Sequence, residues 1–324
     1  MTDVAIDSMT GHLHQTSTSR DSYSLRERVW YAAGAVAFAL LLAGFWNARL
    51  VDGFGRDVVM GGTIGNPDAL ATSFAQRGFG FGFLFAAAAG IASTFTACNC
   101  VVFALLPGLA TSDRARLDTR RSALSALGLF TAGVVLVGAI YGMFIGSLGP
   151  AGIEAFNSAG VRRSLARTVF TSIGTLMLFW GALELGFLDR LVRRVSPTTR
   201  AFFSQPSIKG ALLGLLVGAF MIGRPFPVMR SFLVYAATAG SPWYGAGVMI
   251  VQGFGQIALM VVLFVALVYA AGHRLSAWAS ARPQRVSLVS GLSLIAGGTF
   301  FVFYWGLAFA YGIGRWGFRL GWYS

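Results

Sequence analysis

Seven runs of predominantly apolar residues, about 29–46, 80–110, 123–149, 169–188, 210–238, 245–271 and 288–312, dominate the chain. A helix needs roughly 20 such residues to cross the hydrocarbon core of a bilayer. Backbone amides at that depth have no water to bond, so a run of this length predicts a helix that bonds internally. Charge content agrees: 11% of the 324 residues are Asp, Glu, Lys or Arg, less than half the roughly 25% of a soluble domain. A soluble enzyme, a disordered chain, a collagen and a disulfide-rich secreted domain are all excluded as descriptions of the whole. The expected fold is therefore an all-α polytopic membrane protein with about seven transmembrane helices.

The net charge of +13 invites a nucleic-acid reading, but its distribution argues for topology instead. Fifteen basic residues fall in the N-terminal tail and in the connections after the second, fourth and sixth runs. Eight fall in the alternate connections and the C-terminal tail, and two, Arg224 and Arg230, lie inside the fifth run. Basic residues concentrate on the cytoplasmic side. The N-terminus is thus expected in the cytoplasm and the C-terminus outside. Residues 1–28 read as a polar, Ser/Thr-rich, disordered cytoplasmic tail, and no small-residue cleavage site marks a signal peptide. Trp30, Tyr31 and Trp46 at the ends of the first run fit an interfacial aromatic belt.

A weak internal repeat lies beneath these runs. Segment 89–109 can be laid on 217–237 at an offset of 128, with Gly90 on Gly218 and Cys98 on Phe226. The third members of the two halves, 170–186 and 286–306, are also alike in their glycines and aromatics. A unit with three spans, repeated once, must insert its copies in opposite senses, as in transporters built on broken helices. The expected organisation is an extra N-terminal helix over 29–46, a first three-helix repeat over 80–188, a second over 210–312, and a short periplasmic tail over 313–324. Each repeat centre is expected to carry a broken helix.

Cys98 and Cys100 are the only cysteines, and both fall in the second run. Cysteine is also an ordinary small apolar residue in a helix. Positions i and i+2 of a regular helix point about 200° apart, so an internal disulfide would require the helix to break. Each thiol could instead exchange with a partner, which needs a thiolate and open access to it. In the fifth run, Pro225 and Pro227 stand one residue apart between Arg224 and Arg230. Two prolines so placed remove amide donors and break a helix, and arginine at membrane depth marks a functional position by default. The arginines either pair structurally, with freed carbonyls or with Glu184, or favour a nearby thiolate as cations do.

Gly138, Gly142 and Gly146 form a small-residue stripe of the kind that packs helices closely. Gln252 and Gln256 put amides in the sixth run, and His12 and His14 lie in the polar tail. No phosphate loop, paired carboxylates, CxxC or haem-attachment motif occurs, and no cofactor or metal is expected.

With these features the chain resembles the CcdA/DsbD transmembrane thiol-disulfide family over about 80–312. Thr96-Ala97-Cys98 resembles the family's first Pro-Cys core with Ala in place of Pro, and Arg224-Pro225-Phe226-Pro227 resembles the second with Phe in place of Cys. The resemblance implies a multi-pass protein of the bacterial inner membrane that exchanges thiols with cytoplasmic thioredoxin and a periplasmic client. Cys98 and Cys100 would be the exchanging pair, and Arg224, Pro225, Pro227, Arg230 and Glu184 supporting residues. Without a second-half cysteine the family's relay between halves is not carried over intact. The chain is also similar to the methylamine-utilization MauF branch of that superfamily, which implies maturation of a periplasmic methylamine dehydrogenase. The alternative on the same scaffold is a transporter of a small solute, anion or metal, in which the two arginines bind an anion and the cysteines are incidental or metal-binding.

Overall fold

The computed structural model describes residues 23–47, 53–94, 118–189, 194, 205–224 and 226–322. Cys98, Cys100, Pro225 and the 1–22 tail lie outside them. The described residues form helices and connecting turns, with no strand among them.

Helix α1 spans Leu25–Gly44. It starts ahead of its apolar run because Ser24 and Glu27 close a capping box, the Ser24 backbone N–H donating to Glu27 Oε2 at 2.7 Å. The connection 47–79, expected to be a loop, is partly helical. It holds a π-helical turn, Phe54–Met60, a short α2, Pro67–Ala71, and the beginning of α3, Phe74–Thr94. Helix α4, Asp118–Phe156, bends at Gly149 (φ 64°), just before Pro150. Helix α5, Ala159–Glu184, follows at once. Helix α6, Pro206–Gly223, and α7, Pro227–Thr238, meet at a bend of 84°. Helix α8 is Pro242–Ala281, and α9, Pro283–Phe301, continues through a π-helical turn to Tyr311. Among the described residues six helices, α1, α3, α4, α5, α8 and α9, carry stretches long and apolar enough to cross a membrane, and the number is seven if the bent α6–α7 pair is counted as one span. The protein is thus an all-α polytopic membrane protein. Leu136, Ile140 and Phe144, one face of α4 at four-residue spacing, stay exposed as lipid-facing side chains do.

Glycine contacts fix how these helices run. A Cβ on Gly142 would fall on the Gly245 carbonyl of α8, and one on Gly146 on the Ser241 carbonyl, so α4 and α8 are antiparallel. The stripe read from sequence is this contact face. Gly174 meets Gly298 and Gly181 meets Gly291, making α5 and α9 antiparallel as well. Helix α6 runs parallel to α4, with Gly210 on Ala126 and Gly214 on Phe130. Helix α3 runs parallel to α8, with Gly90 against Gln252–Gln256. Helix α1 lies along α9, its Gly44 against Trp316 and Trp46 against Phe300. Exchanging α3 with α6 and α4 with α8 maps the α3–α8 pair onto α6–α4. Small residues let backbones approach where lipid offers no hydrophobic drive between helices.

A polar centre around the bend between α6 and α7

The bend is local in origin. Arg224, preceding a proline, is extended (φ −68°, ψ 115°), as steric conflict with the proline ring requires. Phe226 is extended too, and Pro227 takes the first position of α7, where a missing N–H costs nothing. This leaves carbonyls at the end of α6 without helical donors. Arg162 of α5 supplies one: its Nη2 donates to the Arg224 carbonyl, and its Nη1 donates to Tyr141 Oη at 3.4 Å. The Arg162 guanidinium also lies 5.6 Å from the Phe156 ring centre. Positive charge at a helix C-terminus complements its dipole.

Arg162 was not among the residues singled out from sequence, where it counts as one of three basic residues in a connection, 150–168. That segment is helical, and Arg162 is only 3% exposed. The available signal was its spacing from Ala166, Phe170 and Ile173, which together form the buried face of α5.

Arg224 is 2% exposed and its Nη1 donates to Gln256 Oε1 at 3.4 Å. Gln252 and Gln256 of α8, at 0% and 1% exposure, join by a 3.5 Å contact, and Gln252 Nε2 also reaches Ser93 Oγ. Thr94, the last residue of α3, donates its hydroxyl to the Gly255 and Gln256 carbonyls at 3.3 and 3.1 Å. A connected polar centre therefore runs Arg162, Arg224, Gln256, Gln252, Ser93 and Thr94 across four helices, with Phe226 buried at its edge against Gly55.

Arg230 is separate from this centre. It is exposed, and its Nη2 donates to the Asn157 carbonyl at 3.4 Å while Asn157 Nδ2 donates to the Arg230 carbonyl at 3.3 Å. The sequence pairing of Arg224 and Arg230 across Pro225 and Pro227 thus splits: the first faces the bundle interior and the second an open cleft. Glu184 joins neither. It accepts from Lys209 Nζ at 2.6 Å and from Trp180 Nε1 at 3.4 Å. It lies 22 residues along α5 from Arg162, about 33 Å at helical rise. Expected as a structural partner of the arginines, it instead ties α5 to α6 at the other end of the bundle. Among the described residues no group of three or more His, Cys, Asp and Glu is placed to hold a metal ion.

Fold and site together define a polytopic helical membrane protein with a buried, arginine-bearing polar centre at a broken helix. Comparison of the chain with protein-family models, with curated proteins and with solved structures finds no match.

Proposed function

We propose that the protein is a membrane-embedded thiol-exchange factor of CcdA/DsbD type that supports maturation of an exported redox enzyme, with Cys98 and Cys100 as the exchanging thiols. The observation that carries this reading is the hydrogen-bonded path from Thr94 through Gln256 to Arg224. Thr94 stands four residues before Cys98 in the chain, so the cysteine segment departs from a polar centre that holds a cation. Cations favour the thiolate, the form that exchanges. In the exchange a Cys thiolate attacks one sulfur of a client disulfide, a mixed disulfide forms, and the client's other sulfur leaves as thiolate. The neighbouring thiolate releases the client, and a thioredoxin-type dithiol in the cytoplasm returns the two electrons. By analogy with the MauF branch, methylamine dehydrogenase is the proposed client. The bias of basic residues supports a bacterial inner-membrane location with the N-terminus in the cytoplasm and the C-terminus in the periplasm.

Two measurements test this. Purified full-length chain in proteoliposomes is expected to exchange with the aryl disulfide DTNB, and a Cys98→Ser/Cys100→Ser variant to fall to the background rate. A double variant that still supports client maturation in cells would end the proposal. Separately, Arg224→Gln is expected to slow maleimide alkylation of the thiols at neutral pH, by about tenfold for each ~1.4 kcal/mol of thiolate stabilisation lost. An unchanged rate in a folded variant removes Arg224 from the mechanism.

The transporter reading has its own observation, the open cleft beside α7 that Arg230 lines. There a solute would meet one of the two arginines, not both.

A further inference from the structure

The cleft beside α7 has about 550 Å³ of space and lies between α2, the end of α4 and the start of α7. Sites for small molecules typically measure roughly 300–1,000 Å³. Two acids and one base line it: Asp68, Glu154 and Arg230. Asp68 is committed, since it accepts from Arg56 Nη2 at 2.9 Å and from Ser231 Oγ at 2.8 Å. Glu154 makes no hydrogen bond or ion pair among the described residues, and it forms none within 4.0 Å of Arg230. Opposite charges therefore face one cleft without neutralising each other.

A second observation points to a ligand. Asn157 lines the same cleft, is only 8% exposed, and its Oδ1 has no donor among the described residues. Its Nδ2 is already used on the Arg230 carbonyl, which fixes the amide orientation and leaves an acceptor waiting. A buried acceptor left unmet costs about 1–3 kcal/mol. An incoming ammonium satisfies it and Glu154 together. At the opposite charge, Arg230, whose Nη2 already holds the Asn157 carbonyl, leaves the Nη1 and Nε donors of its guanidinium for a carboxylate. The first turn of the 12-residue α7, opening at Pro227, adds the positive end of a helix dipole. Ile153 and Val234 give the cleft apolar walls.

We propose that this cleft binds a zwitterionic solute of short-peptide size, its carboxylate on Arg230 and its ammonium on Glu154 and Asn157 Oδ1. The site is independent of the thiol chemistry. Isothermal titration of the full-length protein in nanodiscs with trialanine, trialanine amide and N-acetyl-trialanine tests it. Trialanine binds, and capping either end weakens binding by about tenfold or more as a charge-assisted contact is lost. Arg230→Gln abolishes discrimination between trialanine and its amide, and Glu154→Gln abolishes discrimination between trialanine and its acetylated form. The Cys98→Ser/Cys100→Ser variant binds trialanine like the parent, so failure here and failure of the thiol reading are told apart. Equal binding of free and capped peptides, no binding of any, or discrimination that survives both substitutions overturns the proposal.

Discussion

Gly142→Val drives α4 away from α8 and costs the protein its folded form. A Cβ at Gly142 falls on the Gly245 carbonyl and within 2.8 Å of the Met249 side chain. Neither the backbone of α8 nor that of α4 can yield without undoing the neighbouring contact at Gly146. The penalty is expected at or above the ~3 kcal/mol upper end of ordinary overpacking, and the reciprocal Gly245→Val behaves the same. Gly128 on the same helix has nothing within 4 Å of a built Cβ. There Gly128→Ala keeps or raises stability by up to about 1 kcal/mol, the helix-propensity difference. Thermal unfolding of purified protein in detergent separates the two. A Gly142→Val protein that melts with the parent would mean the helices do not pack as described.

Arg162→Met lowers stability by roughly 2 kcal/mol or more. The substitution strands a buried phenol on Tyr141 and the Arg224 carbonyl, each worth about 1–3 kcal/mol when left without a partner. Relief from holding a charge at depth offsets part of that. Arg162→Lys does not restore the parent, because an ammonium lacks the planar fork that reaches both groups. The loss is expected to appear first at the α6–α7 bend, as earlier protease cleavage near Phe226. A variant with parental melting and cleavage would show that the carbonyl finds another donor.

Much of the helical plan was legible in sequence, because length and lack of charge are sufficient to mark a membrane span. The bend was legible as well, since Pro225 and Pro227 speak directly to backbone bonding. Side-chain direction was not. Arg224 and Arg230 are six residues apart across a break, and no fixed period relates their faces once the helix turns by 84°. Arg162 was hidden for a different reason. Polar residues near a span end look like a connection, and apart from its spacing from Ala166, Phe170 and Ile173 nothing in the sequence marks Arg162 as carried inward to Tyr141 and Arg224. Asn157 and Glu154 were invisible for the same cause, because helix continues after Gly149 where the apolar run stops. Glu184 looked like the natural partner for the arginines as the one acid in a span. Distance along α5 excludes that, and Lys209 claims it.

The pairing of helices bears on the order of assembly. Helix α4 rests chiefly on α6 and α8, α3 on α8, and α5 on α9, so nearly every large interface joins an early helix to one synthesised much later. Helices α4 and α5, neighbours in sequence, touch only slightly. Early spans must then wait in the bilayer, their glycine faces uncovered, until α6, α8 and α9 arrive. Among the described residues neither half holds a large helix interface of its own. The two are closed together, as the teeth of a zip, and a chain cut in the connection before α6 holds a set of inserted helices and no bundle.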